Sequence, residues 1–324
     1  MSDLTANYKE KIEFLEYISQ HICKDLDIKL KIRVIDNDAS ELNAETGHIK
    51  DNIYFINFTS RIFHLDLEID DITKRYTEDD LLFFREFRKL NIFSKLKDDT
   101  YRVELNNLFS TIIILNIFFH ECGHIYAKHI EKKRMIEFDS TKKGSYKLQE
   151  HELVADWLST EYLFELIYFN IAGKIKNEDD FFRLFKETII FYWLSLTIEF
   201  EIFERVHKKK PSLKEYSELT HPIPEVRLFY SREAMFEAMI NVLNHYNLSD
   251  VKAEEVASYI INDAYVFIES FLNITDTSFS LTNNLSMVKQ YYVTLRDIPY
   301  VNGKTIDNFL HLLPLSDELR NALS

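Results

Sequence analysis

His120 and His124 stand four residues apart in the run His120-Glu121-Cys122-Gly123-His124. On an α-helix, side chains four apart share one face, about one turn from each other. Two imidazoles so placed can point at one ion. Glu121, rotated by roughly 100°, borders that ion without binding it. This is the H-E-x-x-H arrangement of two zinc ligands and a general base. Zinc lowers the pKa of a bound water from about 15.7 to near 7, and a carboxylate that takes the water's proton adds roughly 10²–10⁴-fold to hydrolysis. Zn2+ is the expected cofactor.

A hydrolytic zinc site needs three protein ligands and an open fourth position. Residues 152–156 read Glu-Leu-Val-Ala-Asp, and Glu150, His151 and Glu152 compete for the third place. Glu152 alone has a carboxylate, Asp156, at i+4 on its own face. Such a carboxylate commonly receives the free ring N–H of a ligating His and fixes its tautomer. The expected ligands are therefore His120, His124 and Glu152, with Asp156 orienting a histidine. Glu150 and His151 are read as the polar first turn of their helix.

His129 is set aside as a ligand. The H-E-x-x-H-x-x-G-x-x-H scheme needs Gly at 127 and His at 130, where this chain has Ala127 and Ile130. Gly123 costs about 1 kcal/mol relative to Ala in a helix interior, in a chain with only 5 Gly. Its expected purpose is to let another backbone or a substrate come close. Cys122 is a small apolar filler at a non-ligand position.

H-E-x-x-H followed by E-x-x-A-D resembles the gluzincin group of zinc peptidases, in which the downstream Glu is the third ligand. A further block, Thr220-His221-Pro222 with Arg227-Leu228, is similar to the T-H-P-x-x-x-x-R-[I/L] element of the heat-shock and prenyl-protein-processing endopeptidases in that group. The resemblance runs from His120 to Leu228. It implies that His221 lies near the substrate oxygen as a transition-state stabiliser and that Arg227 buttresses an active-site carboxylate. Those endopeptidases are membrane-embedded, and this chain shows no spanning segment. In size and motif it also resembles the soluble Lit-type phage-exclusion peptidases, which cleave a translation factor.

The elements that must hold these residues follow from composition and periodicity. The chain has 324 residues, rich in Phe (26) and Tyr (18), with 5 Gly and 5 Pro. Few turn formers and many large apolar residues favour long helices around a sizeable core. Residues 28–35 and 53–58 alternate apolar and polar, the period-two signal of half-buried strands; residues 36–47 are turn-rich. Helical patterns cover roughly 4–24, 77–95, 102–133, 150–172, 179–209, 224–246, 251–272, 284–295 and 304–311, with loops at 139–148 and 210–223. The expected fold is α+β and predominantly α-helical. It has a zincin-like core with a small antiparallel sheet, about 28–58, before metal helices at about 102–172. Residues 1–229 are expected to form the metallopeptidase domain and 230–324 a C-terminal helical extension. The Ile53–Phe58 strand is expected to be an exposed edge that an extended peptide can join.

A net charge of −14 argues against a nucleic-acid partner, which would usually need a basic face. Two cysteines, Cys23 and Cys122, give no disulfide framework. The N-terminus lacks the charged and apolar regions of a signal peptide. The apolar run Leu108–Phe119 is shorter than the roughly 18 residues that span a bilayer; it reads as a buried helix, with no membrane partner and a cytoplasmic setting. The expected function is a zinc-dependent endopeptidase hydrolysing a cytoplasmic protein substrate, in phage exclusion or a regulatory response. The alternative is a non-catalytic, zinc-stabilised module that binds a partner. A closed structural site would use four protein ligands, usually with cysteine thiolates, and would leave Glu121 without a purpose.

Overall fold

The computed structural model describes residues 2–35, 42–77, 99–130, 142–172, 178–207, 221–245 and 250–274. Helix α1 (Ser2–Leu26) leads into strand β1 (Lys29–Ile35). Strands β2 (Ala44–Lys50) and β3 (Ile53–Thr59) follow, then a 3-10 turn (Ser60–His64) and α2 (Asp66–Thr77). The remaining helices are long: α3 (Asp99–Tyr126), α4 (Lys142–Ala172), α5 (Glu178–His207), α6 (Pro224–His245) and α7 (Asp250–Ile274). The fold is α+β and mostly helical, as composition indicated. The helices expected at 284–295 and 304–311, and that at 77–95 beyond Thr77, lie outside the described residues.

The three-stranded sheet has the order β1-β3-β2. Strand β3 pairs in parallel with β1, from Lys29↔Ile53 to Ile35↔Thr59, and antiparallel with β2, Ala44 facing Phe58. Two expectations are corrected here. The sheet is mixed, not antiparallel, and β3 is its central strand, so Ile53–Phe58 offers no free edge. The stretch expected to be turn-rich, 36–47, runs into strand Ala44–Lys50, whose Glu45, Gly47 and Lys50 are poor strand formers. It is held by β3 through a tight turn in which Asp51 takes a positive φ of 47°. The core face of β3 is formed by the buried Tyr54, Ile56 and Phe58.

Helix α3 between Ile112 and Phe119 is apolar but for Asn116, and every residue of that stretch is buried. A helix hydrophobic all round belongs inside a fold. Leu105–Tyr126 is also long and apolar enough to cross a membrane by length and composition, yet 83% of its most apolar window is buried inside the fold. The helix ends at Tyr126, short of the expected 133, because Lys128 adopts the left-handed conformation (φ 55°), which stops a helix.

Helix α4 begins at Lys142 and runs through Gly144, so most of the loop expected at 139–148 is helical. Glu150 and His151 accordingly lie inside this helix, not in its first turn. Helix α5 is buried without interruption from Glu187 to Phe200. Helix α6 runs unbroken past residue 229, and its Leu228, Met235 and Met239 join the same hydrophobic cluster as α3, α5 and α7. The division expected at 229/230 therefore falls inside a helix whose two halves share one core.

Candidate metal centre

Helices α3 and α4 pack against each other, and at Gly123 their backbones come very close. A Cβ built there would stand 2.9 Å from the Cα of Ala155 and 3.2 Å from its carbonyl oxygen. Only glycine permits that approach. Ala155 lies between Glu152 and Asp156, so the same contact that seats Gly123 brings both carboxylates up to the histidine face of α3. Of the two purposes expected for Gly123, close approach of another backbone is the one observed.

Three donors converge as a result. His120 Nε2 lies 3.2 Å from Glu152 Oε2, His124 Nε2 lies 3.4 Å from Glu152 Oε1, and the two Nε2 atoms are 3.1 Å apart. The ligand atoms of His120, His124 and Glu152 all lie within 4.8 Å of one another, a group that could hold a metal ion. Burial opposes ionisation of Glu152, but the facing His124 and His120 hold its carboxyl well below the usual range. The site thus presents a carboxylate and two imidazoles to a common point.

The back of the site is held by Asp156 and Arg227. Asp156 Oδ1 lies 2.8 Å from His120 Nδ1. Arg227 donates from Nε to Oδ2 at 2.7 Å and from Nη2 to Oδ1 at 2.6 Å, a two-pronged charge-assisted pairing. Burial would raise the Asp156 carboxyl; the Arg227 charge and bonds, with His120 behind them, hold it below its ordinary value instead. The guanidinium also lies over the Phe200 ring, 4.9 Å from its centroid, a cation–π contact. For His120, burial disfavours the cation, yet hydrogen bonds and charges from Asp156 and Glu152 outweigh it and push the ring up to about 10.

Arg227 reaches Asp156 because α6 starts where it does. Pro224 occupies the first helical position, where its missing N–H costs nothing. The Ile223 carbonyl accepts from both Val226 N and Arg227 N, and Ile223 is buried. His221, just upstream, lies with its Nε2 3.5 Å from Glu152 Oε2 and its side chain 64% exposed. It stands at the solvent-facing rim of the site. Glu121 is buried beside His120, with 7% of its surface exposed.

The structure brings together two sets of residues that sequence reasoning passed over. His129, set aside as a ligand, is buried, and its Nδ1 lies 3.1 Å from His124 Nδ1. Its ring stacks on His151, centroids 3.8 Å apart and planes nearly parallel at 4°. The second set lies one turn before His120. Asn116 donates to Glu199 Oε2 at 2.8 Å and accepts from Ser159 Oγ and Tyr192 OH at 2.7 and 3.1 Å. Tyr192 OH also bonds Thr160 Oγ1. This buried network ties α3, α4 and α5 together behind the metal-facing residues. The i, i+4 relation of Asn116 to His120 was visible in the sequence, but its partners on other helices were not.

No protein-family model, curated protein or solved structure matches this chain. The functional reading therefore rests on the site itself.

Proposed function

We propose that this chain is a zinc-dependent endopeptidase acting on a protein or peptide substrate. The observation that carries the reading is the convergence of the three donors: the two Nε2 atoms are 3.1 Å apart, and each lies within 3.4 Å of one or the other oxygen of Glu152. Ligands about 2.0–2.1 Å from a tetrahedral zinc stand roughly 3.3 Å from one another. Two imidazoles and one Glu carboxylate are also a donor set used by catalytic zinc, with a fourth position left open. A structural site would call for a fourth protein ligand, and the convergent group contains three among the described residues.

A bound zinc supplies two things: it acidifies a water and polarises the scissile carbonyl. The chain's own residues do the rest. Glu121 takes the proton of the attacking water and passes it to the leaving amine. His221, at the open rim, donates to the oxygen on which negative charge develops. Asp156, clamped by Arg227, accepts the Nδ1 proton of His120 and so keeps Nε2 free to bind the ion.

The substrate strand expected at β3 moves to β2. Among the described residues β2 is a sheet edge, it runs antiparallel to β3, and it packs against α3. An extended peptide can add to such an edge through backbone hydrogen bonds. The test is N-terminal profiling of cells expressing the wild type against cells expressing Glu121→Gln. New protein N-termini confined to the wild type are expected, and identical profiles overturn the reading.

A further inference from the structure

We infer that His129 is a positioning residue of the metal centre: it accepts the Nδ1 proton of His124 and thereby commits His124 Nε2 to the ion. The inference rests on the metal-centre reading above and adds a residue to it.

The backbone is shaped for this contact. On a continuous helix, His129 would lie five positions beyond His124 and about 140° around the axis, facing away from it. Helix α3 stops instead. Lys128 takes a φ of 55°, a conformation that costs an L-residue with a side chain on the order of 1–2 kcal/mol. Ala127 N and Lys128 N close the end by donating to the carbonyls of Gly123 and Ile125. The turn folds the chain back, so that His129 Nδ1 comes within 3.1 Å of His124 Nδ1. An unfavourable backbone conformation at that residue has this juxtaposition as its result.

Helix α4 then fixes the ring. His151 lies flat against His129 at 3.8 Å and 4°, and His151 directly precedes Glu152. The helix that brings the third ligand also brings the surface on which His129 rests. Of two facing Nδ1 atoms, one must donate and the other accept. Ligation through Nε2 leaves the proton of His124 on Nδ1, so His129 accepts through Nδ1. The two ligand histidines are then backed unequally: His120 by a carboxylate with its own Arg227, His124 by an imidazole. A carboxylate makes the ring it receives from more basic than a neutral acceptor does, which makes His124 the weaker of the pair.

The test compares zinc affinity, by chelator competition, for the full chain and for His129→Leu and His129→Gln, with far-UV circular dichroism as the check on folding. Loss of the acceptor is expected to weaken zinc by about 10–100-fold in His129→Leu. In His129→Gln the amide oxygen can accept, and at least half of the loss on a logarithmic scale is expected to return. Equal affinity in all three proteins overturns the inference, and so does equal loss in Leu and Gln variants that remain folded, because packing alone would produce it. Imidazole 15N NMR of the zinc-loaded wild type needs no variant. It is expected to show His124 protonated at Nδ1 and His129 unprotonated there, and the reverse assignment overturns the inference. A wild-type chain that binds no zinc fails the metal-centre reading itself, a different outcome from any of these.

Discussion

Gly123 and Ala155 meet where α3 crosses α4, so closely that a Cβ on the glycine would sit 2.9 Å from the alanine Cα and 3.3 Å from its Cβ. The obstacle is backbone and cannot swing aside. Helix propensity alone makes Gly123→Ala stabilising by about 1 kcal/mol. The crossing makes it destabilising by roughly 1–3 kcal/mol, the usual cost of overpacking, and it also moves Glu152 away from the histidines. Denaturation of the metal-free variant is expected to show lower stability than wild type; a gain would mean that the helices part without cost.

The donor set predicts its own dependence. Replacing His120, His124 or Glu152 singly by Ala is expected to remove bound metal from the purified protein, measured by elemental analysis. Undiminished zinc in His124→Ala would sink the ligand assignment.

Glu121 is assigned to the water and not to the ion. Glu121→Gln is expected to keep metal content and fold while hydrolysis falls by at least about 10². Once a substrate is in hand, unchanged turnover rules the role out.

His221 stands within 3.5 Å of Glu152 yet is mostly exposed, as suits a group that meets a substrate. His221→Ala is expected to lower turnover by about 10²–10³ with zinc content unchanged. Loss of zinc along with activity would make it a ligand instead.

Glu199 supplies a pH test. Burial pushes its carboxyl up to about 7, despite Arg227 and the Asn116 hydrogen bond acting to lower it. A carboxyl with a raised native pKa keeps its proton longer in the folded state. Its contribution is therefore most favourable below the ordinary value of about 4.5 and is lost as pH rises through 7, by about 3 kcal/mol in all. Urea denaturation of the metal-free protein at pH 5 and pH 8 is expected to show this decline in the wild type. In Glu199→Gln the decline should be clearly smaller, what remains coming from groups such as His120, whose raised ring also loses its contribution above its ordinary value.

How much of this could be read in advance depended on distance along the chain. His120, Glu121 and His124 were readable because helical spacing is local, and Glu152 stood out from Glu150 and His151 through Asp156 one turn on. The need for a close approach at Gly123 was inferable from its helix penalty; that Ala155 would fill the space was not. His129 was weighed only as a ligand in a fixed spacing, and the left-handed Lys128 that redirects it leaves no mark in composition. The buried partners of Asn116 depend on which helices touch. Strand β2 was hidden by its polar residues, and the parallel pairing of β1 with β3 is a long-range choice that alternation cannot report.

The continuity of α6 sets the smallest piece of this protein worth making. A chain stopped at residue 229 would keep His221 and Arg227 but leave Arg227 on a helical stub, stripped of Met235, Ala238 and Met239, which anchor the helix in the shared core. Isolated helices of that length do not hold their shape in water. Asp156 would then face its histidine without a fixed counter-charge. Shortened versions made for expression or crystallisation should therefore keep α7 as well, since the far end of the helical layer carries the anchor for the near one.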